Sequence, residues 1–275
     1  MKVKFHYGYP VSLDIDTNKP VDIYIDKFTL EPVPPDSLRI IILQEPMREP
    51  LVSIVQKYRD KYTHLMTFQE DILDSNPKAR LFHFPNTWIK GYQPKQKEFS
   101  VSTVVGGKKF MEGHALRHEL WRNRERITIP KKFYLSGNAA HSHSFVRFDE
   151  ADYTGQLVLG ASKEPLFDSM FHVAIENCSI ANYFSEKILD CFQTRTVPIY
   201  YGCTNIGEYF NKAGMFCVNN VERIIDTCNY LINPIVYELM SPMIEENYLL
   251  SNKWCDQDEQ LRNGIIQILK EEGCI

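Results

Sequence analysis

Residues 168–202 read DSMFHVAIENCSIANYFSEKILDCFQTRTVPIYYG, and the hydrophobic period changes twice within them. Residues 170–175 are a short apolar run with β-branched and aromatic members, closed by Glu176-Asn177, the pattern of a strand buried on both faces of a parallel sheet. From Tyr183 the period becomes helical: Phe184, Ile188 and Phe192 fall at i, i+4 and i+8, with Leu189 beside them. Asn182 is placed to cap that helix through its side-chain oxygen. Residues 197–201 give a second buried strand, ended by Gly202. Strand, helix and strand in this order predict a βαβ unit with a right-handed crossover, and so an α/β fold.

In such sheets ligands bind beyond the carboxyl ends of the strands, where a helix N-terminus offers free N–H groups to an anion. Glu186 and Lys187 fall in the first helical turn. Helical side chains lean toward the N-terminus, which brings the Lys187 ammonium to the same place. A cation there is unfavourable by about 0.3–1 kcal/mol unless an anion shares the site. Ordinary surface lysines also occupy such positions, so the spacing leaves both readings open.

Ile175-Glu176-Asn177-Cys178-Ser179, Tyr183, Ser185-Glu186-Lys187, Val197-Pro198-Ile199 and Gly202 together resemble the donor-binding signature of glycosyltransferase family 10. These are the α-1,3/1,4-fucosyltransferases, which use GDP-fucose. Ile175 stands where the family often has Phe, and Cys178 where it often has Ser. The resemblance implies two Rossmann-like α/β domains facing a cleft, the GT-B arrangement, with a reduced N-terminal domain. It implies inverting transfer of fucose from GDP-fucose to a hydroxyl of a carbohydrate acceptor, with no metal required. Arg117 and Lys187 would take the pyrophosphate charge, Glu186 the ribose hydroxyls, and Asn177 and Tyr183 would line the nucleotide pocket. Glu45, after the strongest N-terminal strand, matches the family's catalytic base, with Glu49, His114 and His118 in reserve. Two other readings stay open. One is a transferase of this fold using another nucleotide sugar, the other a non-catalytic protein that binds a nucleotide sugar or a glycan.

The bulk numbers bound these readings. The 275 residues, 44% of them hydrophobic, suffice for one large or two modest domains. A net charge of −4 gives no general attraction to nucleic acid or anionic lipid. No apolar run has the length of a membrane span and no signal pattern opens the chain, which predicts a cytoplasmic protein, in a bacterium or in a host cell making a virus. The seven cysteines include no C-x-x-C pair, so neither a disulfide framework nor a zinc site is expected.

Residues 1–98 read as an acceptor-side α/β domain. Strands are expected over 3–7, 21–25, 38–43, 64–68 and 80–84, a helix over 49–62, and a linker over 90–97. Residues 99–275 read as the donor domain. It begins with a strand over 99–105 and Gly106-Gly107-Lys108-Lys109, a turn in its simplest reading. A helix past Gly113 carries Leu116, Arg117 and Leu120, and a strand follows over 132–135. Residues 137–168, with His141 and His143, show no clear period and read as a functional loop. A helix over 206–210, a strand over 215–218 and helices over 221–232, 234–240 and 261–269 complete the chain. Asp14-Ile15-Asp16 and Asp256-Gln257-Asp258 have D-x-D spacing and read as solvated acids.

Overall fold

A computed structural model of the chain describes residues 3–6, 13–32, 34–46, 49–89, 91–136, 157–159 and 162–275. His141 and His143 lie outside the described residues. The chain divides into two compact units, the first formed by Met1–Phe84, Ala181–Tyr183 and Asp256–Ile275, the second by Pro85–Ile180 and Phe184–Cys255.

The first unit holds a parallel sheet of β1 (Val3–Phe5), β2 (Val21–Ile25), β3 (Leu38–Ile42), β4 (His64–Thr67) and β5 (Ala79–Leu81), in that spatial order. Strands laid down in chain order with right-handed crossovers send every connecting helix to one face. There α1 (Leu51–Lys57) and α2 (Glu70–Ser75) bury Val55 and Ile72 against Tyr24, Ile41 and Leu65. The alternate side chains, Ile23, Ile25, Ile40 and Ile42, point to the opposite face. That face is covered by α7 (Gln257–Glu271), through Leu261, Ile265, Ile268 and Leu269. The division therefore differs from the expected 98/99 boundary: it falls after Phe84, and the C-terminal helix completes the first sheet. Asp256, from the second D-x-D, caps α7 by accepting the Glu259 N–H at 3.1 Å.

In the second unit β6 (Glu98–Val105), β7 (Lys131–Ser136), β8 (Leu157–Leu159), β9 (Ser169–Ile175), β10 (Val197–Tyr201) and β11 (Phe216–Cys217) form a parallel sheet in the order β8-β7-β6-β9-β10-β11. This is the doubly wound order, 3-2-1-4-5-6, which reverses direction between β6 and β9. Phe171, Val173 and Ile175 pack on one face with α3 (Glu112–Arg122) and α5 (Val221–Tyr230). Ala174 and Tyr200 point to the other face, where α4 (Glu186–Gln193) buries Ile188, Leu189 and Phe192. The last long helix, α6 (Ile235–Ser251), runs beyond the expected 234–240 and carries Pro242 inside it.

Cys178, Cys191, Cys203, Cys228 and Cys274 are buried thiols, packed as small side chains among their neighbours. No helix among the described residues is long and apolar enough to cross a membrane.

Candidate functional site

Where strand order reverses, the helices that follow β6 and β9 leave in opposite directions and open a crevice at the carboxyl edge of the sheet. The elements that flank this point are α3, which follows β6, and α4, which follows β9. They carry Arg117 and the pair Glu186–Lys187 respectively, so topology gathers residues distant in sequence.

The local fit is close. A Cβ on Gly113 would overlap the Glu176 carbonyl, so only glycine lets α3 begin against the end of β9; its N–H donates to the Asn177 carbonyl at 2.9 Å. The Arg117 guanidinium reaches the same turn. Its Nη2 donates to the Asn177 Oδ1 at 3.0 Å, and Nε (3.1 Å) and Nη2 both donate to the Ile175 carbonyl. Glu112, in the first turn of α3, accepts the Ser179 N–H at 2.7 Å.

The N-cap of α4 is Ser185, not Asn182. Asn182 adopts a left-handed φ of 62°, and its carbonyl is 3.0 Å from His83 Nδ1. The expected cap stood three residues early because the helical hydrophobic pattern begins at Phe184, before the helix itself. Ser185 is in turn held by Glu176, a carboxylate with no exposed surface that accepts the Ser185 N–H at 2.8 Å and its hydroxyl at 2.6 Å. A Cβ on Gly202 would approach Glu176 Cγ to 2.5 Å, so Gly202 makes room for this side chain.

Lys187 is the centre of the charge cluster. Its ammonium lies 2.9 Å from Ser185 Oγ, 3.2 Å from Glu186 Oε1 and 3.3 Å from Glu176 Oε2. Its side chain is only 23% exposed. Burial acts to lower its pKa, but Glu186 and Glu176 outweigh that and hold it above the ordinary lysine value. For Glu186 burial acts upward, and Lys187 and Lys163 reverse it, bringing the carboxyl down to about 2. Lys163 lies 3.5 Å from Glu186 Oε1. Glu176 and Ser185, quoted in the signature without a role of their own, and Lys163, which the sequence did not mark, are members of this cluster. Gly202, read as a strand end and as a member of the signature, was a hint that a side chain crosses the turn.

Other expected residues are placed differently. Tyr183 is buried in the first unit against Phe68, with ring centroids 5.2 Å apart. Glu45 also belongs to the first unit, exposed just beyond the carboxyl end of β3. Its N–H and that of Gln44 donate to Asp26 Oδ1 at 3.2 and 2.8 Å, which fixes the turn that presents it. Among the reserves, Glu49 accepts the Ser53 hydroxyl, and His118 Nε2 lies 3.0 and 3.1 Å from the carbonyls of Gly106 and Lys108. His114 is buried on α3, and burial, reinforced by Arg117, lowers its pKa to about 4. Among the described residues no group of three or more His, Cys, Asp or Glu side chains is arranged to hold a metal ion.

Comparison with known proteins bears on the fold. No family model matches the chain. A segment of 64 residues is 33% identical to the α-(1,3)-fucosyltransferase FucT of Helicobacter pylori, covering 22% of this chain and 13% of that protein. A crystal structure of an α1,3-fucosyltransferase with GDP superposes with a TM-score of 0.53 at 16% identity, over 84% of this chain and 70% of that one. A glycosyltransferase from Rickettsia africae ESF-5 gives a TM-score of 0.58 at 9% identity, over 91% and 76%. The likeness is one of fold: the α/β architecture with parallel sheets is that of the GT-B glycosyltransferases.

Proposed function

We propose that this chain is an inverting glycosyltransferase that moves fucose from GDP-fucose to a hydroxyl of a carbohydrate acceptor. The observation that carries the reading is the pairing of Arg117 on α3 with Lys187 at the N-terminus of α4, at the point where strand order reverses. Two fixed cations and a helix N-terminus are what a pyrophosphate leaving group needs, because negative charge grows on it as the sugar–phosphate bond breaks. Arg117, anchored to Ile175 and Asn177, is held rigidly for that task. In the reading proposed here the pyrophosphate takes the place of Glu186 on the Lys187 ammonium, and the carboxylate is left to the ribose hydroxyls. Asn177 stays beside Arg117 at the edge of the nucleotide.

Transfer needs one displacement. The acceptor oxygen bonds to the anomeric carbon and its proton passes to Glu45. The bond from that carbon to the phosphate oxygen breaks, its electron pair stays on the β-phosphate, and GDP leaves. The pyrophosphate charge is carried by Arg117 and Lys187, and the proposal includes no metal.

The test is a thermal-shift comparison followed by an assay of GDP release with a panel of glycan acceptors. GDP and GDP-fucose are expected to raise the melting temperature, because they bind the folded state alone, and UDP and UDP-glucose are not. Equal stabilisation by UDP-glucose would point to another nucleotide sugar, and binding without transfer to any acceptor to a non-catalytic protein. Glu45→Gln is expected to keep GDP-fucose affinity and to slow transfer by roughly 10²–10⁴-fold, the usual worth of a general base. A rate within a few-fold of the parent removes Glu45 from the site.

A further inference from the structure

Trp88 leaves 63% of its surface exposed, an unusual place for the largest apolar side chain unless something rests on it. The Lys163 ammonium sits 3.6 Å from the centre of its ring, well inside the range of a cation–π contact. The same ammonium is 3.5 Å from Glu186 Oε1. Trp88 is itself tied to the helix that bears Glu186, since its backbone N–H donates to Asp190 Oδ1 at 2.9 Å. Asp190 lies one turn after Glu186 and on the same side of α4. Ring and ammonium are thus held from outside to the helix that carries the carboxylate.

We propose that Lys163, seated on Trp88, is the positioning residue that keeps the Glu186 carboxylate directed at the ribose hydroxyls of the donor nucleotide. This rests on the donor reading given above. Packing alone does not account for the arrangement, because a ring this exposed contributes little burial. The need is electrostatic. Glu186 lies against two ammonium groups, Lys187 and Lys163, and binding a pyrophosphate draws the first of them away. Lys163 then remains to keep the carboxylate ionised and oriented. Each ribose hydroxyl donates best to a carboxylate whose direction is already fixed.

The experiment measures the affinity of the full chain for GDP and for 2′,3′-dideoxy-GDP, which lacks the hydroxyls Glu186 would hold. The parent is expected to prefer GDP. Lys163→Met is expected to weaken GDP about tenfold while leaving the dideoxy nucleotide nearly unchanged, so the preference collapses; about tenfold corresponds to one charge-assisted contact. Lys163→Arg should restore it, and Trp88→Leu, at an exposed position, should lose part of it. If Lys163→Met does not fold, the Arg and Trp88 variants carry the comparison. Equal weakening of both nucleotides would mean that Lys163 serves the phosphates or the fold, and no weakening would mean that it serves neither; each overturns the proposal. A parent that binds GDP without preferring it to the dideoxy form also overturns it, while leaving the donor reading intact. A parent that binds no guanine nucleotide breaks the donor reading itself.

Discussion

Glu176 shows how much of a site can pass unread in a sequence. It stands inside the quoted signature, yet nothing in its spacing says that it reaches Ser185 and Lys187 across the turn. Residue type and local period report what faces a core, whereas contacts closed by a turn depend on a backbone path that carries no period. Lys187 and Glu186 were legible because a helix start has a chemistry of its own. Removing Glu176 takes a buried partner from a mostly buried ammonium, which typically costs about 3–5 kcal/mol. Glu176→Ala is expected at the lower end of that range, because Lys187 keeps Glu186, and denaturant unfolding measures it. Lys187→Ala is expected to weaken GDP binding and also to destabilise the fold, since it leaves Glu176 and Glu186 facing each other as like charges. A Lys187→Ala variant as stable as the parent would contradict the buried cluster. A second carboxylate makes a prediction about pH. Asp190 is buried, its Oδ1 accepts from Thr87 and Trp88, and its Oδ2 has no hydrogen-bond partner among the described residues. Burial raises its pKa from 3.8 to about 7. The folded chain therefore holds a proton that the unfolded chain releases, so the stability this group contributes is complete below pH 4 and is lost as pH rises through 7. Asp190→Asn removes the titration. Its melting temperature relative to the parent is expected to climb between pH 4 and 7 and level off above. A difference independent of pH would show that Asp190 is ionised in the folded chain.

At the scale of elements, the strands were the most readable part, because runs such as residues 40–43 and 173–175 are too apolar for any solvent-facing role. The helices were readable only where their apolar stripe is long. The six-residue α2 buries Ile72 alone and left no stripe to find. The C-terminal helix was visible as a helix, but not its partner: the face of the first sheet that it covers is bare only because the strand order there sends α1 and α2 to the other side. Gly264 marks that contact, since a Cβ there would lie 2.7 Å from Phe82 Cε2 and 2.8 Å from Met66 Cε. Ile265 sits beside it with no exposed surface. Truncating a buried isoleucine removes its transfer energy and leaves a cavity, together about 2–5 kcal/mol. Ile265→Ala is accordingly expected to destabilise the first unit, and amide hydrogen exchange should locate the loss in β2 and β3, with β9 and β10 unaffected. Loss of protection in β9 instead would show that α7 does not belong to the first sheet.

For the whole molecule, the decisive fact is an order of strands. Sequence spacing gives β6, β7 and β9 as separate strands, yet nothing in it says that β9 returns to lie beside β6, because strand order is set by which faces must be buried and leaves no periodic trace. That return brings Arg117 beside the end of β9 and to the same reversal point as Lys187, two cations in a chain whose net charge is −4. A GDP-sugar is itself an anion, so the molecule as a whole repels it and local cations have to overcome that repulsion. A divalent metal would do the same work by bridging the phosphates, as it does in many nucleotide-dependent enzymes. The two routes differ in a measurable way. If Arg117 and Lys187 neutralise the pyrophosphate, the GDP-induced thermal shift and the rate of sugar transfer should be unchanged in EDTA. Arg117→Ala should then weaken GDP by the 1.5–3 kcal/mol of a charge-assisted contact, about ten- to a hundredfold, with or without added manganese. Loss of activity in EDTA with recovery on adding manganese would assign the charge to a metal and leave Arg117 as the brace that its bonds to Ile175 and Asn177 already make it.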